Sequence, residues 1–331
     1  MPTDSGWTQK TSPFHRGERA AQEKSGVRDR LETLGRRAVR DFMPDQHRAF
    51  FADLPMIFVG HVDDAGWPWA SVLYGGPGFI TTPDSRSLTL TAQPLAGDPL
   101  NDALTPGRSL GFVGMGLSNR RRNRVNGHVA QVGDQGFEVS VDQSFGNCPQ
   151  YIKTRDADLT HHARSAPVKE TSDTLDDAAR QMIRAAETFF VATATQPHAA
   201  GGGVHGADVS HRGGRRGFVK VERDTLTVPD FSGNNFFNTL GNMIENPRAG
   251  LLFIDYTTGD LLMVSGTTDI HWDPQEIAEF RGATRFWQLK VRRVLRLRAA
   301  LPVTWTEQDG APNIEKTGTW DEVAAALAAR R

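Results

Sequence analysis

The chain has 331 residues, a formal net charge of −1 and one cysteine, Cys148. That length suits two domains rather than one small core. Near-neutral charge leaves no bulk basic field to hold a nucleic-acid backbone. One cysteine excludes an intramolecular disulfide and any cysteine-held zinc or iron–sulfur centre. No segment approaches the ~18 apolar residues of a membrane span, and the first residues carry no apolar signal region. The expectation is a cytoplasmic protein with no metal, no nucleic-acid partner and no membrane partner.

Residues 1–27 read as a polar arm. The next unit, 28–153, opens with RDRLETLGRRAVRDF, in which Leu31, Leu34, Val39 and Phe42 recur at roughly helical spacing. Pro44 and Asp45 suit the first turn of a short helix through His47, Phe50 and Phe51. Strand signals begin at MIFVGHV (56–62), turn at Asp63-Asp64-Ala65-Gly66 and return through WASVLY (69–74). Further short apolar runs follow near Ile80, Leu88, Phe112, Val129 and Val139. Residues 154–173, polar and proline-containing, predict a linker. The second unit, 174–304, opens with a helix over TLDDAARQMIRAAETF, with Leu175, Ala179, Met182 and Ile183 on one face and Asp173 or Thr174 as its cap. Strands resume at FFVATAT (189–195), and 305–331 read as a tail with a short helix. Short strands at this spacing predict a mainly β, α+β chain of antiparallel barrels with flanking helices, not a βαβ sheet.

The two strand series resemble each other. Phe58-Val59 matches Phe190-Val191, Gly78-Phe79-Ile80 matches Gly217-Phe218-Val219, and Leu88-Thr89-Leu90 matches Leu226-Thr227-Val228. Arg108 through Val113 matches Arg248 through Phe253, and Val125-Asn126-Gly127 matches Val264-Ser265-Gly266. Gly78 and Gly217, like Gly127 and Gly266, are 139 positions apart. This predicts a duplicated barrel with an insertion, Gln196 to His205, in the second copy. Two packed copies make a pseudo-two-fold interface, within one chain or across a homodimer, and ligand clefts favour such interfaces.

Three segments carry candidate chemistry. In DVSHRGGRRGFV (208–219), Ser210, His211 and Arg212 end a strand before paired glycines; these donors suit a phosphate, or form a solvated basic hairpin. In PDFSGNNFFNTLGNMIENPR (229–248), Asn234 and Asn235 lead to Asn238 and Thr239 at a helix start, either as ordinary caps or as an anion-binding edge. In VDQSFGNCPQYI (141–152), Gln143, Ser144, Asn147 and Gln150 are dense polar groups after a strand. Cys148 has no adjacent base and reads as a structural thiol. Arg120, Arg121, Arg122 and Arg124 form the densest basic run, equally suited to a solvated loop or an anion site. His161-His162 lacks a metal-binding constellation.

At these residues the chain resembles the pyridoxamine 5′-phosphate oxidase-like split-barrel flavoproteins, and within them the double-barrel subgroup described as predicted flavin-nucleotide-binding proteins. The resemblance runs from Ser12 to Trp320. It rests on SPFHRGERAAQ, MPDQHRAFF, RRRNRVNG, QSFGNCPQYI, SHRGG and PDFSGNN. It implies two tandem FMN-binding split barrels. It also implies FMN phosphate contacts from Ser210, His211, Arg212, Asn234, Asn235, Asn238 and Thr239, with Gln143 and Ser144 reaching FMN from the other half. The lysine that ends the family's phosphate strand has no clear match, although Lys220 lies nearby, and the vitamin B6 recognition set is not recognisable. The first half has WASVLYGGPGFI where the second has DVSHRGGRRGFV, so one FMN is expected per chain. The implied function is an FMN oxidoreductase acting on a small-molecule substrate or fed by a separate reductase. The alternatives are a haem-binding or haem-degrading split barrel, with His205 or His211 as ligand, and a non-catalytic flavin-binding protein.

Overall fold

The computed structural model describes residues 6–158, 167–196, 203–308 and 311–330. Three helices come first: α1 (Arg16–Lys24), α2 (Arg28–Ala38) and α3 (Asp45–Ala52). The first barrel follows, with β1 (Met56–Val62), β2 (Pro68–Tyr74), β3 (Ile80–Thr81), β4 (Ser87–Leu90), the single turn α4 (Leu100–Ala103), β5 (Ser109–Met115), β6 (Arg122–Gly133) and β7 (Gly136–Gly146). Between the barrels lie β8 (Arg155–Asp158) and β9 (Val168–Ser172). The second barrel has α5 (Asp177–Ala185), β10 (Thr188–Ala194), β11 (Ala207–Gly213), β12 (Lys220–Glu222), β13 (Thr225–Phe231), α6 (Asn238–Glu245), β14 (Arg248–Ile254), β15 (Leu261–His271) and β16 (Ala283–Arg298). The chain ends with β17 (Thr304–Glu307), which pairs β8, and α7 (Trp320–Ala329).

The duplication is visible in the strand order. The first sheet runs β2-β1-β5-β6-β7-β4-β3 and the second β11-β10-β14-β15-β16-β13-β12, the same path with each strand replaced by its counterpart. Each of β6 and β15 breaks register at one matching place, Asn126/Gly127 and Ser265/Gly266. Pairing corrects one sequence match by a residue: Gly111 pairs Gly60 as Gly250 pairs Ala192, so Ser109, not Arg108, stands where Arg248 does.

The barrels pack back to back. Phe58 and Phe190, equivalent residues of β1 and β10, stack at 3.5 Å between centroids and 13° between planes. Around them one buried core takes Trp69, Val72 and Met115 from the first barrel and Val209, Leu252 and Met263 from the second. The flanking contacts are reciprocal. A Cβ on Gly111 of β5 would lie 2.6 Å from the Ala207 carbonyl oxygen of β11, and one on Gly250 of β14 would lie 2.2 Å from the Pro68 carbonyl oxygen of β2. Bare backbone is required at both because strands of opposite barrels touch there.

The helices depart from expectation in instructive ways. The polar arm contains α1, whose N-cap His15 accepts from Gly17 N–H at 3.1 Å while Glu18 accepts from His15 N–H at 2.9 Å. Its buried face is Gly17, Glu18, Ala21 and Gln22, small and polar residues that give no apolar period. It crosses α6 of the second barrel closely, a Cβ on Gly17 meeting the Gly241 carbonyl oxygen at 2.1 Å. Helix α2 stops at Ala38 rather than near Phe42, because Val39 turns extended and Arg40 bridges to Ser144. Helix α5 is capped by Asp176, not Asp173 or Thr174; Asp176 Oδ1 accepts from Ala179 N–H at 2.7 Å. Within the linker β8 and β9 are ordered strands, and His161-His162 lies outside the described residues. No helix among the described residues is long and apolar enough to cross a membrane.

Replacing Gly250 with Ala is expected to lower stability by about 1–3 kcal/mol by forcing the barrels apart. Gly76→Ala, where a Cβ meets nothing within 4 Å, should change it by less than about 0.5 kcal/mol. Urea unfolding of the two variants makes the comparison.

Candidate functional site

A cleft of about 880 Å³, counted to its open mouth, lies where the barrels meet. From the second barrel come Ser210, His211 and Arg212 at the end of β11, and Ser232 to Asn235 with Phe237 to Thr239, which lead from β13 into α6. From the first barrel come Arg122 and Arg124 of β6 and Asn147, Cys148, Gln150 and Tyr151 beyond β7. Phe218, Pro229, Phe231, Phe237 and Leu240 make its apolar wall.

The cleft is rich in positive charge. Arg124 is buried and its guanidinium pairs with Asp208 while donating to Asn238 Oδ1 at 3.1 Å. Arg212 pairs with Asp230 Oδ1 at 3.2 Å, and Arg285 takes the other oxygen at 3.0 Å. Arg122 has no carboxylate partner among the described residues; it donates to the Cys148 carbonyl and to His211 Nδ1. Four guanidiniums therefore face two aspartates. A further carboxyl, Glu18, accepts from Asn238 and is pushed up by burial, partly offset by His15. Burial and the neighbouring guanidiniums pull Arg124 down to about 9 and Arg122 to about 10. The Nε–H groups of Arg122, Arg124 and Arg212 are buried without a partner.

His211 is held neutral, well below its ordinary value, first by burial and then by Arg122 and Arg212. Arginine can only donate, so His211 Nδ1 accepts from Arg122 and the ring proton sits on Nε2. That Nε2–H is buried and unpartnered. Below it the N-terminus of α6 has no side-chain cap: its N-cap Phe237 is left-handed with φ 64°, and no acidic residue lies in the first turn. The exposed N–H groups of such an end attract an anion. Thr239 Oγ1 donates to Ser210 Oγ at 3.0 Å, tying the helix start to β11. Asn234 Nδ2 donates to Asn147 Oδ1 at 3.1 Å, and Tyr151 donates to the Ser232 carbonyl at 3.2 Å, joining loops of opposite barrels.

Seven of the residues singled out in the sequence thus meet in one place: Ser210, His211, Arg212, Asn234, Asn235, Asn238 and Thr239 all line the cleft. Gln143 and Ser144 do not. Gln143 Nε2 donates to the Pro13 carbonyl at 2.9 Å, and Ser144, fully buried, bonds His47 Nδ1 at 2.8 Å. Their strand β7 pairs with β6, which carries Arg122 and Arg124 into the cleft in their place. Arg121 instead packs over Phe50, 4.6 Å from the ring centroid, outside the cleft. Cys148 lines the cleft. Glu18, Asp208 and Asp230 were missed in the sequence. Asp208 stands in the very segment read for Ser210 to Arg212, but a lone aspartate signals nothing until its arginine partner is known.

Residues 175–309 match the family profile described as pyridoxamine 5′-phosphate oxidase. No curated protein matches the sequence. Among solved structures the chain is similar to HupZ of Group A Streptococcus, at 15% identity over 36% of this chain and 91% of that one, with a TM-score of 0.28. A Lactobacillus delbrueckii protein classed with the pyridoxamine 5′-phosphate oxidases is similar at 15% identity over 37% of this chain and 94% of that one, with a TM-score of 0.29.

Arg124→Met leaves Asp208 buried without its counter-ion and is expected to cost about 3–5 kcal/mol. Adding Asp208→Asn should recover most of that loss. Urea unfolding of the single and double variants measures the coupling.

Proposed function

We propose, from the match of residues 175–309 to the pyridoxamine 5′-phosphate oxidase profile and the repeat of that barrel in the first half, that the chain is a member of the pyridoxamine 5′-phosphate oxidase-like family, that its cleft binds one FMN and that the protein is an FMN-dependent oxidoreductase. The observation that carries this reading is the excess of guanidinium over carboxylate at the uncapped start of α6. Counting Arg285, which pairs with Asp230 but does not line the cleft, the cluster carries two positive charges beyond those balanced by Asp208 and Asp230, and this suits a phosphate monoester, which carries about two negative charges at neutral pH. The unpartnered Nε–H groups and the His211 Nε2–H are donors awaiting acceptors, and buried donors left unpaired are costly.

In this reading Ser210, Arg212 and the first turn of α6 hold the phosphate, with Arg122 completing the cluster from the first barrel. Asn234, Asn235 and Asn147 offer polar edges, while Phe218, Phe231 and Phe237 exclude water from the apolar side. His211 holds its proton on Nε2 and stays neutral, so it donates a hydrogen bond without adding charge. Bound FMN would supply hydride or single-electron transfer. The electron donor is a small molecule or a separate reductase.

The haem alternative fits less well. An axial imidazole needs a free lone pair, yet His211 offers a protonated Nε2 and its Nδ1 accepts from Arg122. His205 is exposed and packs near His15, not in the cleft.

Titration of the purified, flavin-stripped chain should show FMN binding at least 100-fold tighter than riboflavin, which lacks the phosphate. Arg122→Ala and Arg212→Ala should each weaken FMN about 30-fold or more, a loss of about 2 kcal/mol or more, and change riboflavin affinity little. Equal affinity for the two flavins, or uptake of neither, would sink the proposal.

A further inference from the structure

The duplication supplies an internal comparison for the cleft. Strand pairing fixes the equivalences. Trp69, Ser71, Val72 and Leu73 of β2 stand where Asp208, Ser210, His211 and Arg212 stand on β11. Leu261 and Met263 of β15 stand where Arg122 and Arg124 stand on β6. Asp208, His211, Arg212, Arg122 and Arg124 have thus each become apolar in their counterparts. Trp69, Val72, Leu261 and Met263 belong to the core between the barrels, and Leu73 to the core of the first. Only the serine is kept.

That serine has an unexpected partner. Ser71, fully buried, donates to Asp98 Oδ1 at 2.6 Å, and the N–H of Leu100, at the start of α4, donates to the same oxygen at 2.8 Å. His61 Nε2 lies 3.0 Å from Ser71 Oγ. The single Ser71 proton goes to Asp98, so His61 must donate to Ser71. Serine therefore sits between histidine and carboxylate, an order that rules out activation of its hydroxyl by the imidazole. In the second barrel Ser210 faces the N-terminus of α6 in the same way, with Thr239 as its neighbour and no carboxylate between them.

We propose that Asp98 is a built-in anion: its carboxylate takes, in the first barrel, the place that a ligand's anionic group takes beside Ser210 and α6 in the second. The first copy of the site is thereby closed by the chain itself, and the protein is limited to one anionic ligand. This rests on reading the second-barrel cleft as an anion site. A carboxylate needs fewer donors than a phosphate, and one hydroxyl and one N–H remain where the guanidiniums have gone. The titratable groups facing Asp98 are His61 of β1 and Lys169 of β9; Lys169 lies against Gly97, where a Cβ would come 2.9 Å from its Cδ. Burial pushes Asp98 up to about 6 and, with Arg108, pulls His61 down to about 3.

The test is chemical rescue in the full chain without flavin. Asp98→Gly should unfold several degrees below the wild type in thermal scans. Sodium formate, the small carboxylate probe, should restore at least half of that difference with saturation, while leaving the wild type unmoved. Adding Ser71→Ala should abolish the rescue. Formate that fails to move Asp98→Gly, or that moves the wild type equally, overturns the proposal. If Asp98→Gly does not fold, Asp98→Ala carries the same formate arm, with the same two outcomes. The readout does not involve FMN, so failure here leaves the flavin proposal standing, and loss of flavin binding leaves this one standing.

Discussion

Everything at the cleft depends on how the two barrels are clamped together. The Phe58–Phe190 stack marks the centre of the interface, and Gly111 and Gly250 let strands of opposite barrels touch on either side of it. Strand β5 is thereby pressed against β11, and β6 is hydrogen-bonded to β5. Whatever stands at positions 122 and 124 of β6 is delivered to the end of β11. Alternation along a strand makes this strict, since a slip of one residue would turn both arginines away from Ser210 to Arg212. The interface is thus a positioning device as well as a core.

A pseudo-two-fold interface makes two such meeting places, and the chain has treated them oppositely. Buried charge is tolerated only when paired or liganded. At one meeting place arginines, aspartates and a neutral histidine are kept together; at the other, tryptophan, valine, leucine and methionine replace them and join the hydrophobic core. The second arrangement helps support the first. Apolar burial on one side of the axis fixes the relative position of the barrels, which guanidinium geometry on the other side needs.

Much of the fold was legible in the sequence because strands and turns are local. The glycine and apolar matches at constant spacing disclosed the duplication, and the strand order repeats it element for element. The second-barrel residues of the cleft were legible for the same reason: Ser210 to Arg212 and Asn234 to Thr239 are contiguous runs. What escaped notice was non-local. Whether Arg122 and Arg124 were solvated or buried depended on what the other barrel placed opposite them. Gln143-Ser144 had the right composition, yet lies on the strand beside the one that reaches the cleft. Helix α1 was invisible because its buried face is glycine, alanine, glutamate and glutamine, a pattern that has no hydrophobic period but suits a close crossing over Gly241.

The arm, the first barrel and the second barrel meet in one polar chain: Glu18 accepts from Asn238, Asn238 accepts from Arg124, and Arg124 pairs with Asp208, which also accepts from Asn126 at 3.1 Å. A buried pair of this kind contributes little net stability compared with apolar residues of the same size, and Met263 with Trp69 shows that the fold has that alternative available. Its retention on one side only is best explained by position. The chain holds the first turn of α6, the end of β11 and the arginines of β6 in one fixed arrangement, assembled only when all three segments have docked. Any ligand that binds this arrangement and not the unfolded chain stabilises the docking of the barrels by RT ln(1 + [L]/Kd). The site and the interface are therefore a single thermodynamic unit, and residues as distant from the cleft as Gly17 and Phe58 help set its affinity.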